Sequence, residues 1–166
     1  VKYRFTDKCN YYNPATVSIW GFYNLNKYVK RGDCRRLSFV RNCVEWLYEN
    51  SEETSYGGSV WRYKMDWPVH GLKSGWISGM SQGLAISLLL RGEALFKRHE
   101  YEELAEKAFT PLIVPVEKGG TAIIKDDFYW IEEIPSKSPS MVLNGFIFAL
   151  FGTYDLYRWT AKYLYK

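Results

Sequence analysis

Apolar residues recur at steps of three and four along most of this chain, and that period calls for helices packed by one face. The clearest run is Leu37, Val40, Val44 and Leu47, preceded by Asp33 as a candidate N-terminal cap. An earlier segment follows Asn13-Pro14, passes Val17, Trp20, Tyr23 and Leu25, and ends towards Gly32. A third, from about Ser78, carries Met80, Leu84, Leu88 and Leu95 on one face. Glu102 to Ala108 make a short fourth, stopped by Pro111. The last is expected over roughly Ser140 to Tyr163, with the stripe Val142, Phe146, Leu150 and Tyr154. Between these segments, Gly57-Gly58 opens an extended piece from Val60 to Tyr63. Leu112-Ile113-Val114 and Thr121-Ala122-Ile123-Ile124 read as a hairpin about Gly119-Gly120, with Phe128 to Ile131 as an added strand. The expected fold class is mostly α: sequential helical hairpins with a small β-hairpin insertion, in a single domain over residues 1–166.

Two of the helices share a costly detail. Gln82-Gly83-Leu84 and Asn144-Gly145-Phe146 each place a primary amide just before a glycine in an early turn. Glycine inside a helix costs about 1 kcal/mol relative to alanine, so something must compensate. Close helix–helix approach is one compensation. The other is that both helices point amide-bearing N-terminal ends into one cavity, with glycine making room for a ligand.

Composition narrows the function classes. At 47% hydrophobic and 24% charged, the chain is too apolar to remain disordered. It has no run of eighteen uncharged apolar residues, so no spanning helix is expected, and Val1-Lys2-Tyr3-Arg4 does not open a signal peptide. The net charge of +4 is spread out. Its densest basic stretch, Lys27 to Arg36, is broken by Gly32, Asp33 and Cys34, so no nucleic-acid partner is expected, whereas an acidic polymer suits the balance. Cys9, Cys34 and Cys43 form neither a disulfide framework nor a metal-ligand spacing. His70 and His99 are the only histidines, so no metal site is expected and acid/base work falls to Glu, Asp, Tyr or Lys.

The segment Trp130-Ile131-Glu132-Glu133-Ile134-Pro135 is the strongest candidate for that work. In an extended chain Glu132 and Glu133 point to opposite faces, so at most one of them faces a pocket. Flanked by Trp130 and Ile134, such a carboxyl is desolvated and its pKa raised; a solvated surface strand is the competing reading. Arg91 can hold an acidic group or form an ion pair on its helix. Trp61, Trp67 and Trp76 offer flat faces for sugar rings or for a core.

Trp76-Ile-Ser-Gly-Met-Ser-Gln-Gly-Leu-Ala-Ile-Ser, followed by Leu90-Arg91, resembles the W-x-S-A-x-A-Q-G-x-A-I-S-x-L-x-R segment of the D-glucuronyl C5-epimerase C-terminal domain. Trp130 to Pro135, then Pro139-Ser140-x-Val-Leu-Asn-Gly-Phe and Gly152-x-Tyr-Asp-Leu156, resembles that family's W-Y-E-E-Y-P, P-S-S-F-V-L-N-G-F and G-L-Y-D-L series. Pro115-Val-Glu-x-Gly-Gly120 and the Asn13-Pro14 to Trp46-Leu47 region also fit, so the resemblance covers most of residues 10–157.

The resemblance implies an incomplete (α/α) toroid acting on uronic acids of a heparosan-like polysaccharide, turning D-glucuronate into L-iduronate without a cofactor. A base removes the proton α to the carboxylate and an acid returns one to the opposite face. It implies Glu133 as the catalytic carboxylate, with Gln82, Asn144, Arg91, Glu132, Trp76 and Trp130 binding substrate. The sequence departs from the pattern at Ile131 and Ile134, where the family usually carries tyrosine. The family's Y-D-L-R and R-W-D-Y-H tyrosine motifs lie beyond the last matching segment, so the chain reads as short or truncated, and self-association into a homodimer is expected to complete the cleft. A non-catalytic glycan-binding module and a polysaccharide lyase or hydrolase on the same architecture are the alternatives.

Overall fold

The structure, a computed structural model, describes residues 11–165. The expectations that rest on Cys9 and on the first four residues lie outside the described residues. Helix α1 (Pro14–Arg31) starts where Asn13 caps it, its Oδ1 accepting from the Thr16 N–H at 3.1 Å, and stops at Gly32 in the left-handed conformation. Helix α2 (Arg36–Glu49) follows without a side-chain cap, because Asp33 instead pairs with Arg35 and Arg36. Its expected stripe holds, with Val40, Val44 and Leu47 fully buried. A short hairpin of β1 (Glu52–Glu53) and β2 (Ser59–Val60) leads to a loop and then to α3 (Gly79–Phe96), capped by Ser78.

Helix α3 is buried on every side from Ser81 to Leu90 and forms the centre of the molecule. Gly21 of α1 sits against Leu88, and Gly92 against Val44 of α2. Gln82, near the start of α3, donates to the Ala108 carbonyl near the end of α4 (Glu100–Ile113). The helices thus form two rows: α1, α3 and α5 (Leu143–Thr160) run in the same direction, and α2 and α4 return behind them.

Three expectations change. Helix α4 runs through Pro111 to Ile113, because Ala105, Ala108 and Leu112 continue one fully buried face, so Leu112 and Ile113 are helical rather than a strand. The hairpin is formed instead by β3 (Ala122–Lys125) and β4 (Phe128–Ile131), turning at Asp126 with a φ of 54°. The third change concerns α5. Its predicted stripe divides: Phe146 packs against the core, but Leu150 and Tyr154 are exposed, and the buried residues are Gly145, Ala149, Gly152 and Leu156.

The cause is a backbone contact. A Cβ added at Gly83 would meet the Phe148 carbonyl oxygen at 2.4 Å and the Ala149 Cα at 2.5 Å. One added at Gly152 would meet the Gly83 carbonyl oxygen at 2.3 Å. Only small residues fit between helices this close, so α5 turns its large side chains outward. Of the two readings of Gly83, close helix approach is the one observed. Because the obstacle is backbone and cannot rotate away, Gly83→Ala is expected to destabilise the fold by about 3 kcal/mol in urea unfolding, at the upper end of overpacking costs.

Candidate functional site

The N-terminal turns of α1, α3 and α5 reach the same end of the molecule, and the segment after β4 runs between the last two. The Gly79 N–H donates to the Glu132 carbonyl at 3.0 Å, and the Glu132 N–H donates to the Thr121 carbonyl at 2.7 Å. Glycine is required at residue 79, since a Cβ there would meet that carbonyl oxygen at 2.6 Å. Strand β4 ends at Ile131 and the chain bends at Glu133, so the two carboxyls come to different surroundings.

Glu132 is fully buried and tied down. It accepts from the Met141 N–H at 2.9 Å, from the Ser140 N–H at 3.3 Å and from the Ser140 hydroxyl. These bonds hold the loop that leads into α5. Its expected part in binding substrate gives way in the structure to an architectural one.

Glu133 has different neighbours. Its side chain lies against Gly145, where an added Cβ would come within 2.3 Å of it, so that glycine makes room for the carboxyl rather than directly for a ligand. Its Oε2 is buried without a hydrogen-bond partner among the described residues. Burial first, and the adjacent Glu132 carboxylate second, push the Glu133 pKa above the ordinary carboxylate range.

Tyr63 shares this neighbourhood, and nothing in the sequence spacing singled it out for chemistry. Its hydroxyl lies 2.6 Å from Ser81 Oγ and donates to Asn13 Oδ1 at 3.4 Å, which joins the first turns of α3 and α1. Its ring stacks on Trp76 with centroids 4.0 Å apart. Burial drives its pKa up to about 12; the Ser81 hydrogen bond opposes this, and the nearby Tyr11 and Glu133 add to it. Tyr63 lies three residues past β2, in an isolated antiparallel bridge to Trp76, and the sequence marked it only as the end of an extended piece.

The other expected site residues divide. Gln82 is fully buried, its Nε2 donating to the Ser59 and Ala108 carbonyls at 2.9 and 3.0 Å and its Oε1 accepting from the Trp61 N–H at 3.3 Å. It ties β2 and α4 to α3 instead of lining a cleft. Arg91 lies ten residues beyond Ser81, roughly 15 Å along the helix. There it bonds Asp155 at 2.6 Å, and Ser87 Oγ donates to the same carboxylate at 2.7 Å. Arg91 therefore braces α3 against α5, away from Glu133. Trp61 is core and Trp76 is buried, while Trp130 stacks on Phe146 at 4.2 Å with its indole nitrogen unpartnered among the described residues. Asn144 is exposed on the first turn of α5, beside Gly145. Ile131 and Ile134 are buried apolar residues, so no phenol stands at either place. No group of three or more His, Cys, Asp or Glu among the described residues is placed to hold a metal ion.

The family described as D-glucuronyl C5-epimerase C-terminus matches residues 53–166. An uncharacterized protein of Methanocaldococcus jannaschii is 35% identical over 115 residues, covering 64% of this chain and 37% of that protein. A D-glucuronyl C5-epimerase of Caenorhabditis elegans is 34% identical over 120 residues, covering 68% of this chain and 18% of that enzyme. The chain thus spans well under half the length of either relative.

The two adjacent glutamates are expected to respond oppositely to substitution. Glu132→Ala strands buried donors and should cost about 2–4 kcal/mol in denaturant unfolding. For Glu133 the raised pKa means a stabilising share that is full below the unfolded carboxyl value and lost as pH rises through the folded one. Glu133→Gln removes that loss. The melting temperature of the variant minus that of the parent should therefore become more positive between about pH 4 and about pH 8.

Proposed function

This chain belongs to the D-glucuronyl C5-epimerase C-terminal family, and from that premise we propose that it inverts C5 of glucuronate residues in a heparosan-like acidic polysaccharide. An (α/α) toroid built from helical hairpins of this kind is part of the proposal. The observation that carries it is Glu133: a buried carboxyl oxygen without a partner, seated against Gly145, with its pKa raised. A carboxylate with that history is a stronger base than a solvated one.

In the proposed reaction, Glu133 takes the C5 proton and becomes a neutral carboxyl. The electrons of the C5–H bond move into the adjacent substrate carboxylate. A proton delivered to the opposite face of C5 completes the inversion. Tyr63, kept protonated by burial and bonded to Ser81, is the proposed proton source on the protein side, and Trp76 holds its ring. Asn144 and Trp130 are proposed as substrate contacts at the mouth, where α5 begins. No cofactor enters this scheme.

Deuterium incorporation at C5 from heavy water tests the reading. Exchange into a glucuronate polymer should fall by about 10²-fold or more in Glu133→Gln, as for loss of a general base. In the parent the rate should rise with pH through the raised Glu133 pKa, since only the ionised form accepts a proton. Binding without exchange would instead establish a glycan-binding module, a reading favoured by the isoleucines at residues 131 and 134. New reducing or unsaturated chain ends would indicate a hydrolase or lyase.

The proposal extends to self-association through α5. Leu143, Ile147, Phe148, Leu150, Phe151 and Tyr154 all face outward, and Phe151 is 58% exposed. A second copy is the proposed cover for this apolar face. Sedimentation should show a dimer that Phe151→Glu dissociates, and a monomeric parent at micromolar concentration would remove this part of the proposal.

A further inference from the structure

Two hollows lie side by side between α1, α2 and the β1–β2 hairpin, mostly outside the stretch that matches the family. The larger, of about 360 Å³, is lined by Tyr12, Asn13, Trp20, Phe39, Asn42 and Trp46 among others, and among the described residues no charged side chain borders it. The smaller, of about 250 Å³, is bordered by Asn50, Glu52, Arg62 and Lys64. Tyr12 and Trp46 line both, meeting edge to face with centroids 6.0 Å apart. The hollows are therefore two chambers of one trough with a shared aromatic sill.

The chambers differ in chemistry. The first offers aromatic surface with the amides of Asn13 and Asn42, and Tyr12 is 53% exposed and Trp20 43% exposed. Aromatic faces with a few polar groups suit the C–H faces and hydroxyls of a neutral sugar. In the second, Arg62 bonds Glu52 at 3.1 Å and the Gly75 carbonyl at 2.8 Å, so its charge is matched. Lys64 is exposed and has no carboxylate partner among the described residues. The second chamber thus has one unmatched positive charge.

The trough also adjoins the Glu133 site. Asn13, on the wall of the larger chamber, accepts from the Tyr63 hydroxyl. Tyr11 lines the smaller chamber and interacts electrostatically with Tyr63. A chain lying in the trough would pass the first turns of α1 and α3 where they face Tyr63.

We propose that this trough is a second carbohydrate-binding subsite, which holds an oligosaccharide of alternating neutral and acidic sugars with a neutral residue on Tyr12 and Trp46 and a carboxylate on Lys64. The choice of ligand class rests on the epimerase reading; the position and the alternation come from the two chambers. The trough holds the polymer beside the reacting residue, so it acts on binding and not on the proton transfer.

The test is a titration of the isotope-labelled full chain, followed by amide NMR shifts. The probes are a glucuronate–N-acetylglucosamine hexasaccharide and its carboxyl-reduced neutral counterpart. The acidic probe should shift Tyr12, Asn42 and Lys64. Lys64→Ala should weaken it about fivefold and abolish its advantage over the neutral probe, as for loss of one partly exposed charge contact. Tyr12→Ala should weaken both probes about tenfold through lost stacking. Both residues are exposed, and circular dichroism of each variant checks the fold. Shifts confined to the surroundings of Glu133, or unchanged affinity in both variants, would overturn the subsite. Glu133→Gln separates the two readings. Trough binding without C5 exchange in the parent leaves the subsite standing and sinks the epimerase. Exchange lost in Glu133→Gln without trough shifts does the reverse.

Discussion

The contact of α3 with α5 at Gly83 and Gly152 sets the geometry of everything around it. Two helices whose backbones touch have no side-chain layer to absorb an error in spacing, so their relative position is fixed by main-chain atoms. The same contact aligns the first turns of both helices at one end. The segment after β4 then passes between those turns, close enough that residues 79 and 145 must also lack side chains. Four glycines thus define one slot, and Glu132 and Glu133 occupy its floor.

Within that slot the two carboxyls show how much environment outweighs identity. They are neighbours in sequence and of the same residue type, just past the end of β4. Glu132 meets two backbone N–H groups and a hydroxyl, so its burial is compensated. Glu133 has the wall of Gly145 and an oxygen without a donor, so its burial is not. The uncompensated group is the one whose proton affinity rises, and rising affinity is what a base for a carbon acid requires.

Much of this was legible in the sequence. The helical steps of Leu37 to Leu47 and the Asn13-Pro14 start translate directly into α2 and α1, since one-sided burial leaves a periodic trace, whereas the expected Asp33 cap is taken up by arginine pairs. The strand through Ile131 was expected, but the chain bends at Glu133, so strand alternation does not account for the different surroundings of Glu132 and Glu133. The stripe on α5 misled, because hydrophobic periodicity measures where large residues lie and α5 packs by its small ones. Pro111 misled as well: the buried face of Ala105, Ala108 and Leu112 outweighs a proline near the helix end. Tyr63 and Gln82 had no local signal of their roles, as each acts through partners far away in sequence.

The Gln82 hub has a further consequence. Its three hydrogen bonds join a helix, a strand and a second helix in the same fold as the Glu133 carboxyl, the proposed base. A carboxylate or histidine in that position would titrate in the same range and couple the frame to the chemistry. An amide does not ionise across the working range of proteins. The joint therefore carries the same charge whether Glu133 holds a proton or not.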